Sequence, residues 1–194
     1  MQLSHRFSDA VRFACHLHAQ QRRKISKTPY VAHLLRVAGI VIESGGGEDE
    51  AIAAMLHDAV EDQGGAETHR AIDERFGSNV AAIVDECTDS AETPKPPWQE
   101  RKEAFIRRIP GMSSSARRVT AADKLDNVRG LIDSFHGQGD ELWRFFHGGR
   151  DGTLWYYRAV ADALAETDPN PLVESLGRAV AVLEQLVEGN RLRQ

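Results

Sequence analysis

The sequence predicts an all-α protein, a single helical bundle of about eight or nine helices. Apolar residues recur at intervals of three and four along most of the chain, as Phe7, Val11, Ala14 and His18 do near the N-terminus. Segments that alternate apolar and polar residues, as a half-buried strand does, are too short to indicate a sheet. Glycine and proline clusters separate the periodic segments and mark where helices end.

Capping residues and helix breakers set the boundaries of the predicted helices. Ser4 or Ser8 caps the first helix, and Thr28 caps the second, with Pro29 at its first helical position. A third helix is predicted from Asp49 to Val60. The remaining predictions are two short helices hinged at Gly77, a loop in the proline-rich run SAETPKPPW (90–98), a helix in QERKEAFIRRI (99–109), a long helix from Ser113 to Phe135, and tail helices at 151–166 and 171–189.

Length and composition limit the organisation and the partners. The 194 residues are 41% hydrophobic and 27% charged, which suits one domain spanning residues 1–194 with a sizeable core. A formal net charge of −5 gives no general basic surface, so nucleic acid is not an expected partner. Neither a run of about 18 apolar residues nor a secretory signal occurs, so no membrane span is expected. Two cysteines are too few for a disulfide framework, and we expect a cytoplasmic location.

The stretch AAMLHDAVEDQGG (53–65) places a histidine and three carboxylates directly after an apolar run. On a continuous helix, His57 lies one turn from Glu61 and Asp58 lies one turn from Asp62, so the four side chains share one face. Three carboxylates within one turn repel one another, and burying them unpaired is costly. A bound cation relieves this repulsion, and imidazole with carboxylate suits Mn, Fe, Co, Zn or, less well, Mg.

One helix cannot surround an ion, so further ligands must come from other segments. His33 lies among apolar residues in YVAHLLRVA, and Asp123 lies in VTAADKLDNVRG on a face predicted to point inward, with Asn127 one turn beyond it. Taken singly, such a histidine is more often a hydrogen-bonded core residue, and such an aspartate is more often solvated or paired. The combination of His33, the pair His57-Asp58 and Asp123 on three helices is the stronger indication of a metal site.

The order His33, His57-Asp58, Asp123 resembles that of the HD-domain metal-dependent phosphohydrolases, which take their name from the His-Asp pair. The segments HAQQRRK, TPYVAHLLRVA, AMLHDAVED, RFGSNVAAIVDECTD, QERKEAF and AADKLDNVRGL resemble the hydrolase domain of RelA/SpoT-type enzymes. They are still more similar to the stand-alone small alarmone hydrolases, which include an animal SpoT-like homologue. The resemblance implies a single HD-type hydrolase domain, with core motifs in 7–135 and C-terminal helices in 151–189.

In that family two histidines and two aspartates bind one Mn ion, and the matching residues here are His33, His57, Asp58 and Asp123. Other divalent metals are not excluded. The acidic pair that follows matches Glu61 and Asp62, whose implied role is to activate or position the water that attacks the 3′-pyrophosphate of ppGpp or pppGpp. The products are pyrophosphate and GDP or GTP. The spacing leaves open which of the two carboxylates is the general base.

The resemblance also implies where the nucleotide binds. Family members use a basic loop near the phosphates, which is matched by Arg23 and Lys24, and Asn127 matches an asparagine beside the sugar. Lys102 is a further candidate for phosphate contact. Without the resemblance, so short a basic cluster is more often a solvated loop. Asp126 stands where family members commonly carry histidine or tyrosine, and an extra carboxylate there is expected to bear on the choice between guanine and adenine alarmones such as ppApp.

Two other functions would use the same residues. An HD-type nucleotidase that releases a single phosphate, for example from NADPH, needs the same metal set and differs only in its product. A non-catalytic nucleotide-binding HD protein is the third alternative. Such proteins lose a metal ligand or the acidic pair, and this chain has lost neither. We expect a small-molecule nucleotide as the partner, and the sequence leaves open whether the protein forms a homodimer.

Overall fold

The computed structural model describes residues 2–90 and 94–191, and every regular element within them is helical. Nine of the α-helices have nine or more residues, so the prediction of an all-α bundle of eight or nine helices is confirmed for this part of the chain. Short 3₁₀ helices lie at Ile109–Gly111 and Gly139–Phe145. The α-helices are α1 (His5–Leu17), α2 (Val31–Glu43), α3 (Glu48–Leu56), α4 (Ala59–Asp62), α5 (Gly65–Phe76), α6 (Ser78–Cys87), α7 (Trp98–Arg108), α8 (Ser114–Gln138), α9 (Gly149–Thr167) and α10 (Pro171–Arg191).

The long helix α8 is central to the bundle because it packs against α2, α3, α6 and α10. Apolar side chains from all ten α-helices join one buried cluster, and burial of that surface is the main driving force for folding. No helix in the described ranges is long and apolar enough to cross a bilayer. The buried positions on α8 and α10 include those that the apolar period predicts: Val119, Ala122, Leu125, Val128, Leu172, Leu176, Leu183 and Val187.

Side-chain caps and a glycine fix several helix ends where the sequence predicts them. Ser4 Oγ accepts the N–H of Arg6 at the start of α1, and Ser113 Oγ accepts the N–H of Ala116 at the start of α8. Gly77 has a φ of 91°, a conformation that residues with a Cβ rarely adopt, and it separates α5 from α6 as the predicted hinge does. The predicted proline-rich loop is non-helical at residues 90 and 94–97, its last residue, Trp98, begins α7, and residues 91–93 lie outside the described part of the chain.

The start of α2 differs from the prediction because the residues before it belong to a closed loop. Thr28 does not cap the helix; its carbonyl accepts the N–H of Arg23 at 2.9 Å. The Gln21 carbonyl accepts the N–H of Tyr30 at 3.0 Å. These two bonds tie together the ends of the segment 21–30, here called the basic loop, and they use backbone groups that the predicted helix start would have needed.

The predicted third helix, Asp49 to Val60, is broken at the His-Asp pair. Between α3 and α4, Asp58 has a φ of −96° and a ψ of −3°, away from the helical values of about −63° and −42°. The ring of His57 turns back and donates its Nδ1–H to the Ala54 carbonyl at 2.8 Å. The prediction of a continuous helix carrying four functional side chains on one face was therefore wrong.

The indole of Trp98, at the start of α7, packs on two glycines, one directly before α9 and one in its first turn. A Cβ atom added to Gly148 would lie 2.5 Å from the Trp98 ring, and one added to Gly152 would lie 3.2 Å from it. The same ring meets Trp155 and Tyr156 edge-on, at centroid distances of 6.3 and 6.5 Å. This contact holds the start of α7 against α9, and both helices contribute to the cavity described below.

We expect Gly148→Ala to lower the free energy of unfolding by about 1–3 kcal/mol, because the added methyl group overpacks against the Trp98 ring. Gly177→Ala on α10 is the matched control. A Cβ there meets nothing within 4 Å, and the higher helix propensity of alanine should add up to about 1 kcal/mol. Urea denaturation followed by circular dichroism measures both changes. Equal effects of the two substitutions would contradict the proposed packing.

Candidate active site

A cavity of about 1030 Å³ opens between the basic loop and helices α2, α7, α8 and α9. Ligand pockets typically measure about 300–1,000 Å³, so the cavity is at the large end of the range. With the exception of His33, which is fully buried, all the metal-binding, catalytic and substrate-binding residues predicted from the sequence contribute to its lining. The structure therefore brings together residues that are up to about a hundred positions apart in the chain.

Two histidines on neighbouring elements each keep one ring nitrogen without a partner. Nδ1 of His57 donates to the Ala54 carbonyl, and Nδ1 of His33 lies 2.6 Å from Oδ2 of Asp126. The Ala54 carbonyl only accepts, so in the neutral ring of His57 the Nδ1 atom carries the proton and the Nε2 atom offers a lone pair. Neither Nε2 atom has a hydrogen-bond partner within residues 2–90 and 94–191, which is uncommon for buried polar atoms.

Two aspartate carboxylates face the same Nε2 atoms. Oδ2 of Asp58 lies 3.0 Å from Nε2 of His57 and 3.7 Å from Nε2 of His33. Oδ1 of Asp123 lies 3.2 Å from Nε2 of His33 and 3.5 Å from Nε2 of His57. A lone pair on either Nε2 atom would face a carboxylate, an arrangement that repels unless a proton or a metal ion lies between them. Two imidazole nitrogens and two carboxylates suit a divalent first-row metal ion.

The electrostatics of this cluster favour a cation. Burial on its own would raise the pKa of both carboxyl groups, but His57 lowers the pKa of Asp58, and Lys124 and His33 hold the pKa of Asp123 well below its usual range. Burial would also lower the pKa of His57, yet the two carboxylates raise it well above the usual value. Both carboxylates are therefore ionised, and a metal ion that binds here takes the place of a proton.

Neighbouring side chains orient both carboxylates. The Tyr30 hydroxyl donates to Oδ2 of Asp58 at 2.6 Å, and Nδ2 of Asn127 donates to Oδ1 of Asp123 at 2.6 Å. Burial and the charge of Asp58 raise the pKa of Tyr30, so the phenol keeps its proton and remains a donor. Hydrogen bonds of this kind fix ligating groups. Sequence reasoning missed Tyr30, although its position three residues before His33 places the two side chains close together.

The two carboxylates of the acidic pair after the His-Asp motif contact different parts of the protein. Oε1 of Glu61 lies 2.7 Å from Nζ of Lys95, and its Oε2 accepts the N–H of Asp89 at 3.3 Å. Asp62 is exposed to the cavity, and its Oδ2 accepts a hydrogen bond from Nε2 of Gln21 at 2.8 Å. The surrounding protein atoms and the aspartate of the His-Asp pair raise the pKa of Asp62. Glu61 thus contacts the segment before α7, whereas Asp62 contacts the basic loop.

Two of the predicted nucleotide-binding residues are joined to each other. Nη2 of Arg23 donates to Oδ1 of Asn127 at 2.7 Å, and the same asparagine donates to Asp123. The Arg23 guanidinium lies 5.7 Å from the centre of the Tyr30 ring. Lys24 lines the same cavity and is exposed. A polar chain therefore connects the basic loop to the metal cluster.

Lys102 lines the cavity, but its ammonium is paired. Its Nζ lies 2.9 Å from Oδ2 of Asp89 and 4.7 Å from the centre of the Tyr156 ring. Lys124, which sequence reasoning missed, has its Nζ 2.5 Å from Oδ2 of Asp123 and 5.8 Å from the same ring. Burial and the charge of Lys124 lower the pKa of Lys102. Two largely buried ammonium groups on one side of the cavity favour an anionic ligand.

Asp126 is a partner of His33 and Arg36. Its Oδ2 lies 2.6 Å from Nδ1 of His33, and it accepts hydrogen bonds from Nε and Nη2 of Arg36. Burial opposes ionisation, but these hydrogen bonds lower the pKa of Asp126. The expected extra carboxylate beside the nucleotide is thus engaged by two basic side chains.

Residues 10–153 match the family described as the HD domain. The matched segment includes both histidines and both aspartates of the cluster. The chain belongs to the HD-domain family. Membership implies a divalent metal, and the donor set of the cluster fits one because its Nε2 atoms lack partners and its carboxylates converge on them.

Several known proteins are similar to this HD-domain chain. The protein named guanosine-3′,5′-bis(diphosphate) 3′-pyrophosphohydrolase MESH1 from Xenopus tropicalis is 44% identical over 126 residues, which cover 63% of this chain and 68% of the relative. The protein of the same name from Drosophila melanogaster is 37% identical over 171 residues, covering 86% and 89%. A solved structure, described as a metazoan ortholog of SpoT that hydrolyses ppGpp and plays a role in starvation responses, matches with a TM-score of 0.79 at 30% identity, covering 96% of this chain and 99% of that one. The predicted resemblance to the RelA/SpoT-type branch is confirmed.

We expect a divalent metal to stabilise the chelator-treated protein, by about 2.7 kcal/mol at a concentration of 100 times Kd. Asp58→Asn should abolish most of this gain, because it removes one anionic ligand. Asp162→Asn on α9, where the side chain is 58% exposed, is the control and should keep the gain. Thermal unfolding with and without metal measures the difference. A gain in Asp58→Asn as large as in the wild type would contradict this site.

Proposed function

We propose that this protein is a metal-dependent 3′-pyrophosphohydrolase of alarmone nucleotides, which converts ppGpp or pppGpp to GDP or GTP and pyrophosphate. The observation that carries the proposal is the cluster of two partnerless imidazole nitrogens and two ionised carboxylates beside a nucleotide-sized cavity. The names of the similar proteins support this substrate. The proposal includes Mn²⁺ as the single ion and the cytoplasm as the location.

The proposed ligands are His33, His57, Asp58 and Asp123. When bound, a divalent ion lowers the pKa of a water molecule and offsets the charge that develops on phosphorus. The protein positions the four ligand groups through Tyr30, Asn127 and the hydrogen bonds of both Nδ1 atoms. These contacts hold the ligand groups in place before the substrate arrives, which is what efficient electrostatic catalysis requires.

We assign the general base to Asp62. Its carboxylate is exposed to the cavity, and it lies one helical turn after Asp58 of the His-Asp motif. Its raised pKa makes it a better proton acceptor than an ordinary aspartate. Glu61 has a different role, because both of its oxygens contact groups of the segment before α7. It positions Lys95 and Asp89, of which Asp89 lines the cavity.

The cationic side chains divide into two groups around the proposed metal. Arg23 and Lys24 on the basic loop are assigned to the nucleotide and its phosphates, with Asn127 beside the sugar. Lys102 and Lys124 line the cavity near the aromatic ring of Tyr156. A nucleotide with diphosphates at both its 3′ and 5′ positions has enough negative charge to engage both groups.

We expect Asp62→Asn to lower kcat for ppGpp by about 100- to 10,000-fold, because an amide cannot take the proton of the attacking water. Glu61→Gln should cost less, because its amide oxygen still accepts one of the two hydrogen bonds from Lys95 and Asp89 and because Glu61 is not assigned to the proton of the water. Glu67→Gln on the exposed face of α5 is the control and should leave kcat unchanged. Steady-state kinetics in saturating Mn²⁺ checks the order. A larger loss in Glu61→Gln than in Asp62→Asn would reverse the assignment.

The products decide between this function and its alternatives. Anion-exchange chromatography and ³¹P NMR should show pyrophosphate and GDP from ppGpp, and pyrophosphate and ADP if ppApp is also a substrate. Release of a single phosphate from NADPH, with no turnover of any alarmone, would favour the HD-type nucleotidase. Binding of nucleotides without any turnover in Mn²⁺ would favour the non-catalytic alternative.

A further inference from the structure

The ring of His33 lies between carboxylates on both of its sides. Nδ1 is 2.6 Å from Oδ2 of Asp126, while Nε2 is 3.2 Å from Oδ1 of Asp123 and 3.7 Å from Oδ2 of Asp58. A neutral imidazole has a single N–H proton, so the carboxylates on the two sides compete for it. A proton on Nε2 would occupy the lone pair that a metal ion needs, so the outcome of the competition decides whether His33 is a ligand.

The second histidine of the cluster is anchored differently. His57 donates its Nδ1 proton to the Ala54 carbonyl, an acceptor that every residue type at position 54 would supply. His33 has no such main-chain anchor at Nδ1, where its partner is the side chain of Asp126. The correct tautomer of His33 therefore depends on the residue type at position 126, which is where this chain differs from the pattern of the family it resembles.

Arg36 holds the carboxylate of Asp126 in place. Its Nε lies 2.5 Å from Oδ1, and its Nη2 lies 3.1 Å from Oδ2, the oxygen that also contacts His33. This two-point contact fixes the plane of the carboxylate. Asp126 is only 4% exposed, and a carboxylate so deeply buried would be costly without a cationic partner. Arg36 lies three residues after His33, so both partners of Asp126 come from the same face of α2.

We propose that Asp126, held by Arg36, is a positioning residue that keeps the proton of neutral His33 on Nδ1 and so presents the Nε2 lone pair to the metal. The proposal rests on the proposed metal role of His33 and is independent of the substrate. A carboxylate partner also makes the imidazole a stronger donor to the metal. Loss of such a partner typically costs about 10- to 100-fold in metal affinity.

Three substitutions separate the roles of the two residues. Asp126→Leu removes the acceptor, so the His33 proton should move to Nε2, where Asp123 accepts it, and Mn²⁺ affinity should fall about 10- to 100-fold. Asp126→Asn keeps the shape and one acceptor oxygen but removes the charge, so its loss should be smaller. Arg36→Met leaves Asp126 in place, and its loss should also be smaller. Adding Arg36→Met to Asp126→Leu should cost nothing further, because Arg36 acts through Asp126.

The test uses the full chain and two readouts that do not involve turnover. Long-range ¹H–¹⁵N NMR of the chelator-treated protein, at a pH where the His33 ring is neutral, reports which ring nitrogen carries the proton. Titration with Mn²⁺ followed by the EPR signal of the free ion gives the affinity. Asp162→Asn on α9, where the side chain is 58% exposed, is the control and should leave both readouts as in the wild type.

The proposal is supported if His33 carries its proton on Nδ1 in the wild type and if the Asp126 variants lose this preference together with metal affinity. A wild-type proton on Nε2, or wild-type tautomer and affinity in Asp126→Asn and Arg36→Met, would overturn it. Asp126→Asn and Arg36→Met decide the matter even if Asp126→Leu does not fold. Absence of alarmone turnover would count against the proposed function and would change neither readout.

Discussion

Two carboxylates and two imidazoles converge where α2, α8 and the junction of α3 and α4 meet, and this convergence needs a cation. Asp58 and Asp123 are both ionised within a few ångströms of two imidazole Nε2 atoms, an arrangement that is unfavourable in the protein interior unless a proton or a metal ion lies among them. The packing of α8 against α2 and α3 brings the ligand groups together, because His33 lies on α2, Asp123 lies on α8, and the His-Asp pair follows α3. The chemistry of the site therefore depends on one electrostatic condition.

The four proposed ligand groups are in turn held by hydrogen bonds from a second layer of groups. Each member of the cluster has a partner that fixes its orientation: a tyrosine hydroxyl for Asp58, an asparagine amide for Asp123, a main-chain carbonyl for His57 and a carboxylate for His33. The same asparagine accepts a hydrogen bond from Arg23 in the basic loop, so the metal cluster and the proposed nucleotide site form one hydrogen-bonded network. Substitutions in this layer should therefore affect metal binding as well as substrate binding.

Much of the fold could be predicted from the sequence because apolar periodicity and capping residues are local properties. The break at the His-Asp pair could not, because it depends on the ring of His57 turning back to Ala54 and on Asp58 reaching Tyr30 across the fold. The candidate residues were found from motif order, but their partners were not. Lys124 has the character of a surface lysine in the sequence, and only the packing of α8 against α9 shows that it is largely buried beside the cluster.

The most direct test of the central claim is the position of the metal. A crystal of the protein soaked in Mn²⁺ and measured at the manganese absorption edge gives an anomalous difference map that locates each ion. The account predicts one strong peak, bonded to both Nε2 atoms of His33 and His57 and to carboxylate oxygens of Asp58 and Asp123. A peak that lies elsewhere in the cavity, or none at these four side chains, would contradict it.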